Sequence, residues 1–198
     1  MTKRFKMFLV VVACAIIGFN FNATPMSLEP VTVPLFSIIK KDYVPVKDNI
    51  IIKKSFVEFL DKLAFRESSG NWKVINRFGF MGKYQLGKLA LKDIGMDSIT
   101  AEKFREDSSH FPVELQEIAI RKYIKKNKRY LRDCIKSYKN TTVNGILITE
   151  SSIIGAAHLV GQRSVKEWLN CGGLVRKVDG NGTTIESYLK LFSGYQIV

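Results

Sequence analysis

Acids, prolines and cysteines are all scarce in this chain, and each shortage narrows what it can be. Asp and Glu number 18 among 198 residues against 31 Lys and Arg, a formal charge of +13. A field of that sign attracts polyanions: nucleic acid, anionic lipid or a carboxylate-bearing cell wall. Of the five prolines, Pro25, Pro30, Pro34 and Pro45 crowd into residues 24–50 and only Pro112 lies beyond. Proline removes backbone donors and pushes the residue before it towards extended conformations. Residues 24–50 are therefore expected to form a linker or arm, and residues 51–198 one domain. The three cysteines, Cys14, Cys134 and Cys171, show neither CxxC nor Cys/His spacing, which argues against a zinc site. Phosphate-binding glycine loops, internal repeats and low-complexity tracts are lacking too. A hydrophobic content of 46% argues against a disordered chain.

The N-terminus narrows the choice of polyanion. Lys3, Arg4 and Lys6 form a basic opening, Met7 to Phe19 is a continuous apolar run, and Ala23 offers a small residue for cleavage. Residues 1–23 are expected to be a signal peptide, with an uncleaved membrane anchor as the alternative reading. Val11-Val12-Ala13-Cys14 also has the look of a loose lipoprotein box, but apolar residues continue past Cys14. Export to the periplasm or cell envelope turns the expectation away from nucleic acid and confines membrane contact to the N-terminal segment. In such an oxidising compartment Cys134 and Cys171 either pair or remain as two free thiols.

The stretch from Ser55 to Gln85 carries the chemistry. Ser55 and Glu58 have the spacing of a capping box, which predicts a helix start. Phe56, Phe59, Leu60, Leu63 and Ala64 then recur at three- and four-residue steps, the stripe of a core-facing helix. Glu67 stands eleven residues past Phe56. At about 100° per residue it returns to within roughly 20° of Phe56 on the helix wheel. A carboxylate is thus placed on the buried stripe, just before a stop signal at Gly70. Burial disfavours the charged form of a carboxylate, and at the mouth of a cleft such a group is a general acid. Pairing with Arg66, or a helix rotated so that Glu67 stays wet, would leave it a purely structural residue.

Further helices are expected over Leu86–Ile94, stopped by Gly95, and from Pro112 at a first helical position, with Leu115, Ile118, Ala119 and Tyr123 facing inward. The basic run from Arg121 to Arg132, with tyrosines interleaved among lysines, reads either as a polyanion surface or as a helix with Tyr123, Leu131, Cys134, Ile135 and Tyr138 pointing inward and its lysines in water. A turn-rich break covers Asn140–Asn144, and His110 reads as an exposed loop residue. Thr149 and Glu150 open another helix, whose small residues Gly155, Ala156 and Ala157 permit close backbone approach. His158 on that helix is either a core histidine or a cleft residue. Gln162–Asn170 reads as one more helix anchored by Trp168. Asp179–Thr183 starts like a calcium loop, but Thr184 and Lys190 stand where such a loop needs Gly and Glu, so a turn is expected. Thr183 and Glu186 suggest the cap of a last helix through Tyr188, Leu189 and Phe192.

Glu67-Ser68-Ser69-Gly70-Asn71-Trp72, then Asn76, then Gly79 to Gln85 with Gly82-Lys83-Tyr84-Gln85, resembles the signature of lysozyme-like lytic transglycosylases. Gly155-Ala156-Ala157-His158-Leu159-Val160-Gly161 looks like the third motif of that family. His158 and Leu159 there replace the usual Tyr and Asn. The resemblance runs from about Ser55 to Tyr195. It implies a mainly α lysozyme-like domain with at most a small β-hairpin by the cleft, around Asn76 to Tyr84. It also implies cleavage of peptidoglycan glycan strands with Glu67 as acid and then base, giving 1,6-anhydro-muramoyl ends without metal or cofactor. Ser68, Tyr84, Gln85 and His158 would bind the glycan. Three settings are compatible: wall turnover, a hole for a secretion or conjugation machinery, or phage-type lysis. A hydrolytic lysozyme on the same fold and a non-catalytic wall-binding protein are the competing readings.

Overall fold

The computed structural model describes residues 54–198, so the expectations for residues 1–23, for the arm at 24–50 and for Ile50–Ile52 lie outside the described residues. Within 54–198 the protein is mainly helical, with seven α-helices and one two-stranded antiparallel sheet. Helix α1 spans Phe56–Ser68, and its capping box forms as the sequence suggests: Ser55 Oγ accepts from the Glu58 N–H while Glu58 accepts from the Ser55 N–H. Phe56, Phe59, Leu60, Leu63 and Ala64 are all buried. The helix ends at Ser68, two residues before Gly70. Ser69 takes the left-handed conformation (φ 55°), and the Ser69 and Gly70 N–H groups return to the carbonyls of Phe65 and Ala64.

Short helices α2 (Lys88–Asp93) and α3 (Ala101–Glu106) follow, then a single 3-10 turn at Ser108–His110. Helix α3 was not expected; its signal is Thr100, whose hydroxyl caps the Lys103 N–H. Helix α4 (Val113–Tyr130) has Pro112 at its N-cap and so begins one residue later than the proline suggested. Its inward stripe is also rotated: Ile118 is half-exposed, whereas Gln116, Ala119, Ile120, Ile124 and Asn127 are buried. Helix α5 (Arg132–Tyr138) follows a buried Leu131.

Strands β1 (Thr142–Val143) and β2 (Ile146–Leu147) pair through the turn at Asn144-Gly145, both with positive φ. Asn-Gly is the favoured pair for such a tight turn. The hairpin therefore sits in the segment expected to be only a break. At Asn76–Tyr84 the chain makes isolated antiparallel bridges, Ile75 with Met81 and Met81 with Leu86, in place of the expected hairpin.

The centre of the domain is helix α6 (Glu150–Asn170), kinked at Gly161 (φ 79°), so the two expected helices form one broken element. Ser151 through Ala157 are buried without interruption, the mark of a helix covered on every side. It packs against α4, α5 and the last helix α7 (Ile185–Leu191). Close approach to the C-terminal segment requires glycine at position 155, where a Cβ would stand 2.6 Å from the Phe192 ring. Helix α7 is capped by Thr184 and Ser187, one residue later than expected. Glu186 instead accepts a hydrogen bond from Trp168 Nε1. Cys134 (half-buried) and Cys171 (exposed) are both free thiols.

Candidate active site

Glu67 occupies the last turn of α1, where the register of a buried stripe meets the end of the helix. Its side chain is 16% exposed and lines a cleft of about 510 Å³. The opposite wall is the loop from Asn76 to Gln85, the floor includes His158 to Val160 of α6, and the Val178–Asn181 turn closes one side. Tyr188 of α7 donates a hydrogen bond to Glu67 Oε1 at 2.6 Å. Burial, and then the negative charge of Glu67, push the Tyr188 hydroxyl well above the usual tyrosine range. It therefore stays a donor, and it fixes Oε1. Among the described residues no donor reaches Oε2. The Arg66 guanidinium does not pair with Glu67; it lies over the Tyr188 ring, 5.8 Å from its centre.

The loop facing Glu67 is held from three directions. Ser68 donates to the Lys83 carbonyl at 2.8 Å, which ties the end of α1 to the loop. His158 Nε2 lies 2.9 Å from the Tyr84 carbonyl, which ties α6 to it. A carbonyl only accepts, so Nε2 carries the proton; the same nitrogen is 3.9 Å from Glu67 Oε1. His158 Nδ1 is buried without a partner, and the ring stands edge-on to Tyr123. The third tie is Gln116 of α4, 1% exposed. Its Oε1 accepts from the Lys83 N–H at 2.6 Å, and its Nε2 donates to the carbonyls of Trp72 (2.9 Å) and Phe111 (2.6 Å). Inside the loop, Asn76 Oδ1 accepts from the Phe78 and Phe80 N–H groups.

The structure thus brings Glu67, Gln85 and His158 to one cleft and keeps Ser68 and Tyr84 off its lining. Tyr84, expected to touch the glycan, is 1% exposed; its hydroxyl donates to Glu117, and burial together with that carboxylate raises its pKa. The Gly82–Gln85 turn faces the other way at this residue because the Tyr84 backbone, not its ring, meets His158. Ser68 spends its hydroxyl on the loop. His158 is 93% buried with its donor engaged, so it holds a wall more than it offers a hand to a ligand. Gln85 sits at positive φ (48°) with Nε2 directed to the Gly82 carbonyl at 3.0 Å, and no donor reaches its Oε1 among the described residues.

Several cleft residues escaped the sequence reading. Phe78 and Phe80 are 52% and 42% exposed on the cleft wall, an unusual position for phenylalanine. Asp179 and Asn181 come from the turn that the sequence marked only as a failed calcium loop. Asp179 Oδ1 accepts from the Asn181 and Thr183 N–H groups, and Val178 pairs with Thr184 across the turn. No group of three or more His, Cys, Asp or Glu suited to a metal occurs among the described residues.

Set against protein-family models, curated proteins and solved structures, the chain matches none of them. The family resemblance rests on the motif residues alone, and the chemistry has to be read from the cleft. That cleft can place one shielded carboxyl, with one oxygen fixed and the other open, opposite an amide oxygen and two exposed aromatic rings.

Proposed function

We propose that the protein is an exported peptidoglycan lytic transglycosylase on a lysozyme-like fold. The observation that carries this reading is Glu67: a carboxyl 16% exposed, pinned at Oε1 by Tyr188, at the edge of a cleft lined by Gln85, Phe78 and Phe80. Cleavage of a glycosidic bond needs a proton delivered to the leaving oxygen. With Oε1 held by Tyr188, Oε2 is the oxygen that carries the proton. Glu67 protonates the oxygen between N-acetylmuramic acid and N-acetylglucosamine, and the C1–O bond breaks. The C6 hydroxyl of the same muramoyl ring then attacks C1 and gives its proton to Glu67. A 1,6-anhydro ring forms, the N-acetylglucosamine end departs as an alcohol, and Glu67 is protonated again. No water is consumed. Phe78 and Phe80 offer flat apolar surfaces to the C–H faces of sugar rings, and Gln85 Oε1, Asn76 and Asn181 offer polar partners to their hydroxyl and acetamido groups.

One observation favours a second reading, hydrolysis. Asp179 lines the same cleft and closes its turn through Oδ1, and no donor among the described residues takes Oδ2, which leaves that oxygen for a water molecule. Mass spectrometry of digested peptidoglycan decides between them. Anhydro-muramoyl ends support the transglycosylase, reducing ends that vanish in Asp179→Asn support the hydrolase, and absence of cleavage removes both. Glu67→Gln keeps the shape and removes the proton; its turnover is expected to fall by at least ~10²-fold. Full activity in that variant would take Glu67 out of the mechanism.

A further inference from the structure

Seven cations and no acid occupy residues 121–132, and helix α4 carries six of them, four on one exposed side. Arg121, Lys122, Lys125 and Arg129 are exposed and form no ion pair with any described residue. At 1.5 Å rise per residue they form a strip roughly 12 Å long. The other cations of the run are engaged: Lys126 with Asp93, Lys128 with Glu150, and Arg132 with Asp133. Asp93 is the acid of the groove beside α4, and Lys126 already neutralises it.

The strip is not purely charged. Ile118, one turn before Arg121 and Lys122 on the same helix, is 49% exposed, and Val198 is 76% exposed. Val198 shares a shallow groove with Phe56, Ile124, Arg121, Lys125 and Lys128, and the Arg121 guanidinium lies 5.3 Å from the Phe56 ring centre. A bare polyphosphate gives nothing to Ile118 and Val198, and the flat C–H faces of wall sugars suit planar aromatic rings rather than these branched aliphatic side chains. A bilayer gives something to both kinds of residue: phosphate charge for the cations and the acyl boundary for the apolar side chains. The exposed strip lies on the other side of α4 from Tyr123 and Asn127, which meet His158 and Gln162 of α6, and so away from the cleft floor.

We propose that this face of α4 docks the domain onto an anionic lipid surface while the cleft stays open to the wall. The contact is peripheral, since no helix among the described residues is long and apolar enough to cross a membrane. It does not depend on the reaction assigned to the cleft.

The test is co-sedimentation of the full chain with vesicles of phosphatidylcholine alone and of phosphatidylcholine with 30% phosphatidylglycerol. The apolar run at 7–19 and the cations Lys3, Arg4 and Lys6 are the same in every variant, so the comparison between variants on anionic vesicles reads the charge of α4. The triple variant Lys122→Gln, Lys125→Gln, Arg129→Gln is expected to lower partition onto anionic vesicles by roughly fivefold per charge, about a hundredfold in all. A control triple, Lys103→Gln, Arg105→Gln and Lys190→Gln, removes equal charge from exposed sites elsewhere and is expected to change it less than about threefold. Ile118→Ser is expected to weaken binding with all charges kept. Equal losses in the two triples would show a general charge effect and overturn the proposal. So would equal partition onto both vesicles, or loss of binding to purified peptidoglycan with vesicle binding intact, which would give the face to the wall. Retained melting temperatures in all variants guard against unfolding, which these exposed positions give no reason to expect.

Discussion

Placing a methyl group at position 82 should unlock the wall opposite Glu67. Gly82 has φ 72°, where a Cβ costs about 1 kcal/mol, and that Cβ would lie within 2.7 Å of Gln116 Nε2 and nearer still to its carbonyl oxygen. Gln116 cannot step aside freely. It is 1% exposed and makes three hydrogen bonds, to the Lys83 N–H and to the Trp72 and Phe111 carbonyls. Each buried partner left unsatisfied costs about 1–3 kcal/mol. Losing one or two of the three, together with the backbone cost, brings Gly82→Ala to roughly 3–5 kcal/mol. That is a large share of the ~5–15 kcal/mol available to a domain and corresponds to a fall in Tm of roughly 10–15 °C. Urea denaturation of Gly82→Ala, Gln116→Ala and the double variant isolates the clash. With Gln116 truncated, alanine at 82 meets empty space and should cost only about 1 kcal/mol. The double variant is therefore expected to be about 2–4 kcal/mol more stable than the two single losses predict. Additivity within ~0.5 kcal/mol would show that Gly82 and Gln116 do not press on each other, and the account of how the loop is held would fail.

The sequence speaks clearly where the signal is local. The Ser55–Glu58 box and the stripe from Phe56 to Ala64 define α1 because cap and stripe lie within one helix, and Glu67 follows from the same register. The burial of Ala156 and Ala157, and Gly155 against Phe192, are legible from small residues in a row. Partners far apart in the chain leave no such trace. Tyr188 meets Glu67 from 121 residues away, and Gln116 reaches Lys83 and Trp72 from α4. A glutamine on a helix stripe looks solvent-facing until a loop supplies three partners for its amide. The apolar spacing of α4 therefore points one step off, to Ile118 facing in, where Ile120 and Ile124 are the buried residues. Tyr84 and Phe80 show the same limit at a finer scale. Both are aromatic residues in one loop, yet the hydroxyl of Tyr84 finds Glu117 inside while Phe80 is left at the cleft. Periodicity cannot order residues in a loop whose path is set by three other elements.

Four further outcomes test particular contacts. Tyr188→Phe removes the donor that fixes Glu67 Oε1, a hydrogen bond worth about 0.5–1.5 kcal/mol, and should lower kcat up to about tenfold with KM little changed; kinetics within twofold of the parent would deny the contact a role. Gly155→Ala should destabilise by about 1–3 kcal/mol through overpacking against Phe192, and Phe192→Leu should recover part of the loss in urea melts. Cys171 is exposed and Cys134 is half-buried with its thiol pKa pushed up by burial, so Cys171→Ser should abolish the fast phase of thiol labelling, and a reductant should leave Tm unchanged. The fourth concerns alkaline pH. Burial first, and then the carboxylates of Glu117 and Glu67, raise the pKa values of Tyr84 and Tyr188, so both hold their protons more tightly folded than unfolded. In the unfolded chain a tyrosine titrates near pH ~10. Their contribution is therefore complete below pH ~10 and is lost as the pH rises beyond it, by at most about 1.4 kcal/mol per pH unit for each residue. Urea midpoints from pH 8 to 11 should fall with a slope that flattens in Tyr84→Phe/Tyr188→Phe, because phenylalanine has no proton to lose in either state. An unchanged slope would mean that neither hydroxyl is held as the Glu117 and Glu67 contacts require.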